Sequence, residues 1–293
     1  MKPAPFAYYA PTSVADAVEI GAELGGSGRV LAGGQSLMPL LNMRRVHVDG
    51  LIDLNRVPGL DRVREDDGHL VVGALVRQAR ALDDPTLRVR APLVAEALRL
   101  VASPTVRNRG TICGSLAFAQ PSAELPSVAL AMGGEVVAAH PGGERRIGID
   151  ELFTGPFATS LEPGEVVTEV RLRPWSPAAG HAFLEVSRMR LPVVGAAVLI
   201  ELDGAVIARC AVALAGVAAT PARARVTEAA LIGSAPTEDS IAAAASAGVE
   251  GLDVQSDVHG SAVYRARVAR VLVRRAVELA VRRARGRDRA SAL

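Results

Sequence analysis

The chain has 293 residues, long enough for two domains, and its 49% hydrophobic and 22% charged residues describe a folded globular protein rather than a disordered or fibrous one. A formal net charge of +2, from 33 Lys and Arg against 31 Asp and Glu, gives no molecule-wide attraction to nucleic acid or to an anionic membrane. The only lysine, Lys2, argues against a lysine Schiff base or a P-loop; Cys113 and Cys210 are too few for a four-thiolate cluster or zinc site; and His47, His69, His140, His181 and His259 are too dispersed for a local metal motif.

Lys2 is followed by Pro3 and Pro5 and by no apolar run, which does not read as a secretory signal. Ser13 reads as the cap of a helix with Asp16 reaching back and Val14, Val18 and Leu24 on one face, stopped at Gly25-Gly26-Ser27-Gly28. Arg29 to Ala32 predicts a short buried strand, Gly33-Gly34-Gln35-Ser36 a turn, and Leu37 to Leu41 a helix that tolerates Pro39 in its first turn. Leu51 to Leu54 and Leu70 to Ala74 predict strands, and Val76 to Leu82 and Leu93 to Ala102 have helical spacing. An irregular stretch, Ser103 to Gly110, then leads into Thr111-Ile112-Cys113-Gly114-Ser115. Ser122 to Met132 reads as a helix, Glu135 to Ala139 as a strand, and Val166 to Leu172 alternates as a half-buried strand does.

Pro174 to Gly180 reads as a linker, which sets the expected domains at residues 1–176, with subdomains of about 1–56 and 57–176, and 177–293. Beyond it, His181 to Arg188, Val193 to Leu202 and Ala205 to Leu214 predict an antiparallel meander with Asp203-Gly204 as a hairpin turn. Three helices follow: Pro221 to Ile232 after a Thr220 cap, Glu238 to Ala247 after a Thr237 cap, and Ser261 to about Arg285. The fold class expected is α+β. The longest apolar run, Cys210 to Ala219, is far short of the roughly 18–20 residues of a membrane span, so the expected compartment is the cytoplasm.

The two glycine-bearing segments carry the chemistry. Adjacent glycines after a strand, followed by a hydroxyl residue and a helix, present several backbone N–H groups with no side chain blocking approach, which suits a phosphate. Gly33-Gly34-Gln35-Ser36 and Thr111 to Ser115 both have this form, the second with Cys113 where another glycine might stand. A lone glycine turn marks a tight bend more often than a ligand. Two, with neither a Walker lysine nor the G-x-G-x-x-G spacing, suggest a dinucleotide held in a non-Rossmann manner.

Ala32-Gly33-Gly34-Gln35-Ser36-Leu37-Met38-Pro39, Arg107-Asn108-Arg109-Gly110-Thr111-Ile112-Cys113-Gly114-Ser115-Leu116-Ala117 and Pro121 to Pro126 together resemble the FAD-binding medium subunit of the molybdenum hydroxylases. That family includes the carbon monoxide dehydrogenase medium chain and the xanthine dehydrogenase flavin domain. The resemblance spans almost the whole chain, and it implies a two-subdomain FAD-binding domain followed by a smaller domain of antiparallel sheet plus helices. It implies FAD as cofactor, a large molybdopterin-binding subunit and a small [2Fe-2S] subunit as partners in a heterotrimer, and electron flow from the clusters through FAD to an external acceptor. Carried onto this sequence, Ala32, Gly33, Gly34, Gln35, Ser36 and Leu37 would hold FAD with Thr111, Gly114 and Ser115, and Glu124 would match an acidic cofactor contact. No side chain is expected to be a general acid or base for substrate, and no metal ligand is expected.

Three departures stand out. Cys113 replaces a glycine of T-x-G-G-S, Ala117-Phe118-Ala119-Gln120 replaces A-H-A-D, and Ser187-Arg188-Met189-Arg190 leads into Leu191-Pro192-Val193 with no aromatic to cover the flavin ring. Each singled-out residue also has a structural reading. Cys113 would fill a turn, Glu124 would favour a helix N-terminus, and Arg107 and Arg109 would lie on the surface rather than offset phosphate charge. Arg265 to Arg289 holds ten Arg against Glu278 and Asp288, a solvated face or a surface for an acidic partner; with 3% aromatics, nucleic-acid binding is not expected. Two other readings compete: a scaffolding homologue with weak or no flavin binding, and a stand-alone flavin oxidase, for which no substrate base is visible.

Overall fold

The computed structural model describes residues 2–188 and 191–286, without the Leu191 side chain. β1 (Ala7–Tyr9), α1 (Val14–Leu24), β2 (Gly28–Leu31), α2 (Leu37–Asn42) and β3 (Gly50–Asp53) build a small parallel sheet in the order β1-β3-β2. The Ser13 hydroxyl accepts the Asp16 N–H at 3.0 Å, so α1 starts where its cap predicts, and it buries Ala17 and Val18. β2 is a half-buried edge strand, and it ends at Leu31 so that Ala32 belongs to the loop.

The second unit runs through β4 (Val63–Asp66), β5 (His69–Gly73), α3 (Gln78–Asp83), α4 (Pro85–Arg90), α5 (Pro92–Leu100), α6 (Pro104–Arg107), α7 (Ile112–Phe118) and α8 (Glu124–Met132). It continues through β6 (Gly134–His140), β7 (Gly143–Gly148), α9 (Ile149–Leu152), β8 (Phe153–Gly155), β9 (Ala158–Thr159) and β10 (Val166–Leu172). Its antiparallel sheet has the order β4-β5-β10-β6-β7, so the last strand inserts at the centre. That position buries Arg171, whose guanidinium bonds Asp66 at 2.9 Å and Glu169 at 3.1 Å. The stretch Ser103 to Gly110 is not irregular throughout, because Pro104 at the first helical position and the Ser103 cap start α6.

β11 (Gly180–Arg188), β12 (Leu191–Asp203), β13 (Val206–Ala215) and β14 (Ala222–Arg223) form the third sheet, followed by α10 (Arg225–Leu231), α11 (Glu238–Ser246) and α12 (Ala262–Ala284). Asp203 pairs with Val206, so the turn residues are Gly204-Ala205, one position later than expected. Gly204 has φ +56°, suited to the first central position of a type II′ turn. Pro221 to Ala224 is not helical: Ala222 and Arg223 add an edge strand to β13, and α10 begins without a Thr220 cap. Thr237 and Ser240 form a reciprocal capping box on α11, and Ser261 caps α12.

Two clusters share the third sheet. Phe183, Ala197, Leu199, Ala211 and Ala213 face Leu125, Val128, Ala129 and Met132 of α8. Ala182, Val194, Ala196, Val198, Val212 and Leu214 face Ala269, Val273, Ala276, Val277 and Ala280 of α12. Every residue of α8 is buried. Each fully buried aliphatic side chain contributes about 1.5–3 kcal/mol, so this apolar seam fastens the third sheet to the second unit. Alpha-carbon contact between β11 and α12 is close enough that a Cβ on Gly180 would lie 1.8 Å from the Ala280 carbonyl oxygen. The segment expected as a linker is pinned as well: buried Trp175 donates its Nε1–H to the Met132 carbonyl at 3.4 Å and lies under the Arg209 guanidinium.

Candidate cofactor site

The loop from Ala32 to Ser36 leaves β2 and turns into α2. Its left-handed backbone falls at Gly34, φ +71°, where an L side chain is disfavoured. Gly33 serves a different need: a Cβ there would lie 2.2 Å from the Arg109 carbonyl oxygen and 2.9 Å from the Gly110 Cα. The two glycine-bearing segments, 76 positions apart at Gly33 and Arg109, are therefore packed backbone to backbone.

Among the described residues, the backbone N–H groups of Gly34, Gln35, Ser36 and Leu37 make no hydrogen bond. The Ser36 hydroxyl does not cap α2, and the Gln35 amide folds back to the Gly33 carbonyl at 3.1 Å. Uncommitted donors on a loop whose two glycines leave its backbone open fit an anionic diphosphate such as that of FAD. Leu37 does not face this loop's opening; it packs against the small core of Leu41, Val48 and Leu51.

The second segment is not a turn but the start of α7. Thr111 is buried, its Oγ1 accepts the Gly114 N–H at 3.0 Å, and its carbonyl accepts the Ser115 N–H at 3.2 Å. Thr111 and Gly114 thus satisfy each other as a helix cap, because a hydroxyl residue in extended backbone before a helix finds the N3 donor first. Gly114 keeps the space for that bond, since its Cβ would lie 2.7 Å from Thr111 Oγ1. Ser115 is half-buried on the first turn of α7. Cys113 takes ordinary helical backbone and points its thiol into the core, toward the Val72 carbonyl at 3.5 Å. Burial pushes that thiol up to about 12, so it is no nucleophile.

Residues that no motif signalled hold the two segments together. Tyr8 donates to Asp53 at 2.6 Å, Asn55 donates to the Ala32 carbonyl at 3.0 Å, and Arg77 bonds the Arg109 carbonyl at 2.5 Å and the Asn55 side-chain oxygen. Asp53 pays a desolvation cost, yet the Tyr8 hydroxyl and the Asn55 donors hold its carboxyl below the usual range. Burial and the neighbouring Arg109 charge pull Arg77 down. Asn55, Arg56, Asp61, Arg77 and Arg80 line an open cleft of about 360 Å³ beside the loop. Only the tertiary fold brings these side chains to one place; the sequence carries no spacing that marks them. Arg107 is structural, bonding the Val101 and Ala102 carbonyls at 2.7 and 3.2 Å.

Residues 4–175 match the model of the FAD binding domain in molybdopterin dehydrogenase, and residues 183–280 match the CO dehydrogenase flavoprotein C-terminal domain. The chain is an FAD-binding medium subunit of the molybdenum hydroxylase family. It is 42% identical to the 6-hydroxypseudooxynicotine dehydrogenase complex subunit alpha of Paenarthrobacter nicotinovorans, over 97% of each chain. It is 35% identical to the carbon monoxide dehydrogenase medium chain of Hydrogenophaga pseudoflava, over 96% of this chain and 98% of that one. The structure superposes on carbon monoxide dehydrogenase from that organism with a TM-score of 0.94 at 36% identity, covering 97% and 99% of the two chains. The quinoline 2-oxidoreductase of Pseudomonas putida 86 gives 0.91 at 33%, covering 98% and 99%. As a medium subunit the chain is an oxidoreductase component, and its cofactor is FAD.

In this flavoprotein subunit the family's departures fall in distinct places. Phe118 packs edge-on against Phe157, ring centroids 5.2 Å apart, and the Phe157 N–H bonds the Ala119 carbonyl at 3.0 Å. Met189 and Arg190 lie outside the described residues. Val193 is buried in the core against α12 and covers no ligand face. Glu124 opens α8, only 5% exposed, and makes no side-chain hydrogen bond to either segment among the described residues. Burial, with Glu185 beside it, lifts its carboxyl to about 7. Among the described residues, no helix is long and apolar enough to cross a membrane and no cluster of three or more candidate metal ligands occurs. Arg270, Arg274 and Arg283 of the basic last helix bond Ser246, Glu238 with Glu278, and Glu96 within the chain; Arg287 and Arg289 lie outside the described residues.

Proposed function

We propose that this chain carries electrons from the [2Fe-2S] clusters of a small partner subunit through FAD to an external acceptor, in a cytoplasmic heterotrimer whose large subunit holds the molybdopterin. The observation that supports it most is the backbone-to-backbone lock of Gly33 on Arg109, beside four uncommitted N–H groups. FAD supplies the exchange between one-electron and two-electron transfer when bound. In this reading Gly33, Gly34, Gln35 and Ser36 bind the diphosphate through backbone donors and the Ser36 hydroxyl, with Ala32 and Leu37 shaping the loop's ends. Thr111 and Gly114 hold the first turn of α7 in place, Ser115 presents its hydroxyl, and Glu124 contacts the cofactor farther along. Arg77 and Asn55 act as positioning residues, fixing the two segments against each other. The domain division at 176/177 belongs to the same reading, supported by the separate sheets on either side.

The test uses the FAD-loaded chain mixed anaerobically with the pre-reduced small subunit. Bleaching of the flavin absorbance supports the electron route, and a flavin that stays oxidised overturns it. A complex that assembles and turns over fully without flavin would select the scaffolding reading.

A further inference from the structure

Two consecutive residues take three consecutive carbonyls of the second glycine-bearing segment. The Arg77 guanidinium bonds the Arg109 carbonyl at 2.5 Å, the Gln78 backbone N–H bonds the Gly110 carbonyl at 2.8 Å, and the Gln78 side-chain Nε2–H reaches the Thr111 carbonyl at 3.3 Å. Gln78 is the first residue of α3 and is only 5% exposed. Its other amide atom, Oε1, is buried with no hydrogen-bond partner among the described residues, and it lies 2.8 Å from where a Cβ on Gly110 would stand. Gly110 is thus bounded by Gln78 and, at the cofactor loop, by Gly33, whose own Cβ would lie 2.9 Å from the Gly110 Cα.

Stability alone would not choose this amide. A buried side chain that satisfies one polar end and leaves the other without a partner carries the desolvation cost of the orphan. The Thr111 carbonyl does not depend on the Gln78 donor, because it already accepts the Ser115 N–H at 3.2 Å. An apolar side chain of similar volume would fill the same space with no orphan. What the amide adds is orientation. The peptide bonds here are trans and planar, so a Gly110 carbonyl fixed toward α3 turns the Thr111 N–H away from α3. Thr111 is buried, and its N–H makes no hydrogen bond among the described residues.

We infer that Gln78 is a positioning residue for the FAD site: its backbone N–H and side-chain amide brace the Gly110–Thr111 peptide against the cofactor loop, so that the Thr111 N–H stands as a fifth backbone donor beside those of Gly34, Gln35, Ser36 and Leu37. This rests on the reading that the cofactor loop and the first turn of α7 together hold FAD. The Gly33 contact with Arg109 and Gly110 joins the two, so a brace on Gly110 sets the spacing between their donors.

The experiment uses the full chain. Gln78→Met keeps the side-chain bulk and removes both polar atoms, so the apo chain should melt at or above the wild-type Tm. The FAD dissociation constant, read by flavin fluorescence, should rise about three- to tenfold, the range of a single hydrogen bond. In a Gly33→Ala background, where the backbone at Arg109 and Gly110 is already displaced, Gln78→Met should add little, so the two losses are not additive. Unchanged affinity, additive losses, or a Tm that falls in step with affinity overturns the inference. Gly34→Asp tests the reading beneath it by placing a carboxylate in the loop. If that variant binds FAD as the wild type does, the reading fails, and amide hydrogen exchange at Thr111 to Ser115 of the apo chain judges the brace alone. Faster exchange in Gln78→Met than in the wild type supports the brace, and equal rates overturn it.

Discussion

Gly33→Ala isolates the contact between the two glycine-bearing segments. The added methyl would lie 2.2 Å from the Arg109 carbonyl oxygen and 2.9 Å from the Arg109 carbonyl carbon, where ordinary contact begins at 3.4 Å. The backbones must separate by about 1 Å, and the atoms in the way are main-chain atoms that no rotamer change can move. Gly33 is not among the left-handed glycines, so the cost is steric alone. Overpacking of this kind costs about 1–3 kcal/mol, a loss of a few degrees in Tm for a chain of this size. The same separation lengthens the Arg77 bond to Arg109 and moves the N–H groups of the loop relative to α7, so the FAD dissociation constant rises by roughly tenfold or more, about 1.4 kcal/mol per decade. Gly26→Ala is the control, because its Cβ meets nothing within 4 Å and its φ is not left-handed. Both variants are assayed by flavin content after gel filtration, flavin fluorescence titration and thermal melts. A Gly33→Ala chain with the affinity and Tm of Gly26→Ala would refute the argument that this contact aligns the site.

Four further outcomes follow from other parts of the molecule. Burial raises Glu124 from its ordinary 4.5 to about 7, so the folded chain holds a proton there that the unfolded chain has released; stability contributed by this group falls as pH rises from about 4.5 to 7, by up to ~3 kcal/mol. Denaturant melts should show Glu124→Gln gaining on wild type across that window, and parallel curves would count against it. Burial pushes the Cys113 and Cys210 thiols up to about 12, so neither is alkylated in the native chain at pH 8 and both react in denaturant; rapid native labelling of Cys113 would contradict its placement. Arg265→Met strands the Val193 and Gly216 carbonyls and Asp257, and urea unfolding should register a loss of about 3 kcal/mol, where less than about 1 would show the network to be incidental. Thr111→Val removes the cap of α7, costing about 1 kcal/mol in the same assay while leaving Gly114 in place; no change would mean that the Gly114 N–H finds another acceptor.

Local chemistry made much of this legible in advance. Ser13, Thr237 and Ser261 mark helix starts because a short hydroxyl side chain satisfies an orphan N–H within three residues. The meander β11 to β13 shows as apolar stretches, and the α+β class follows from strands first and helices after. The paired segments at Gly33 and Thr111 were readable as a cofactor motif, as was the family they resemble. Where reading along the chain erred, a nonlocal demand won. Ala222 and Arg223 became strand because β13 had an edge to fill, and the hairpin slid to Gly204-Ala205 because the register of β12 with β13 sets it. Thr111 to Ser115 resembled a turn only until the Thr111 cap closed it into a helix.

The sequence by itself determined that adjacent glycines open the segment after Ala32, that one lysine and two cysteines are all the chain has, and which family the chain resembles. These depend on residue identity and on partners a few positions away. The tertiary structure alone decided that Gly33 abuts Arg109, that Arg77 and Asn55 clamp the two segments, and that Cys113 is turned inward. It alone buried Glu124 at the start of α8. Such contacts join residues 23 to 76 positions apart, and their energies exist only once the sheets have packed.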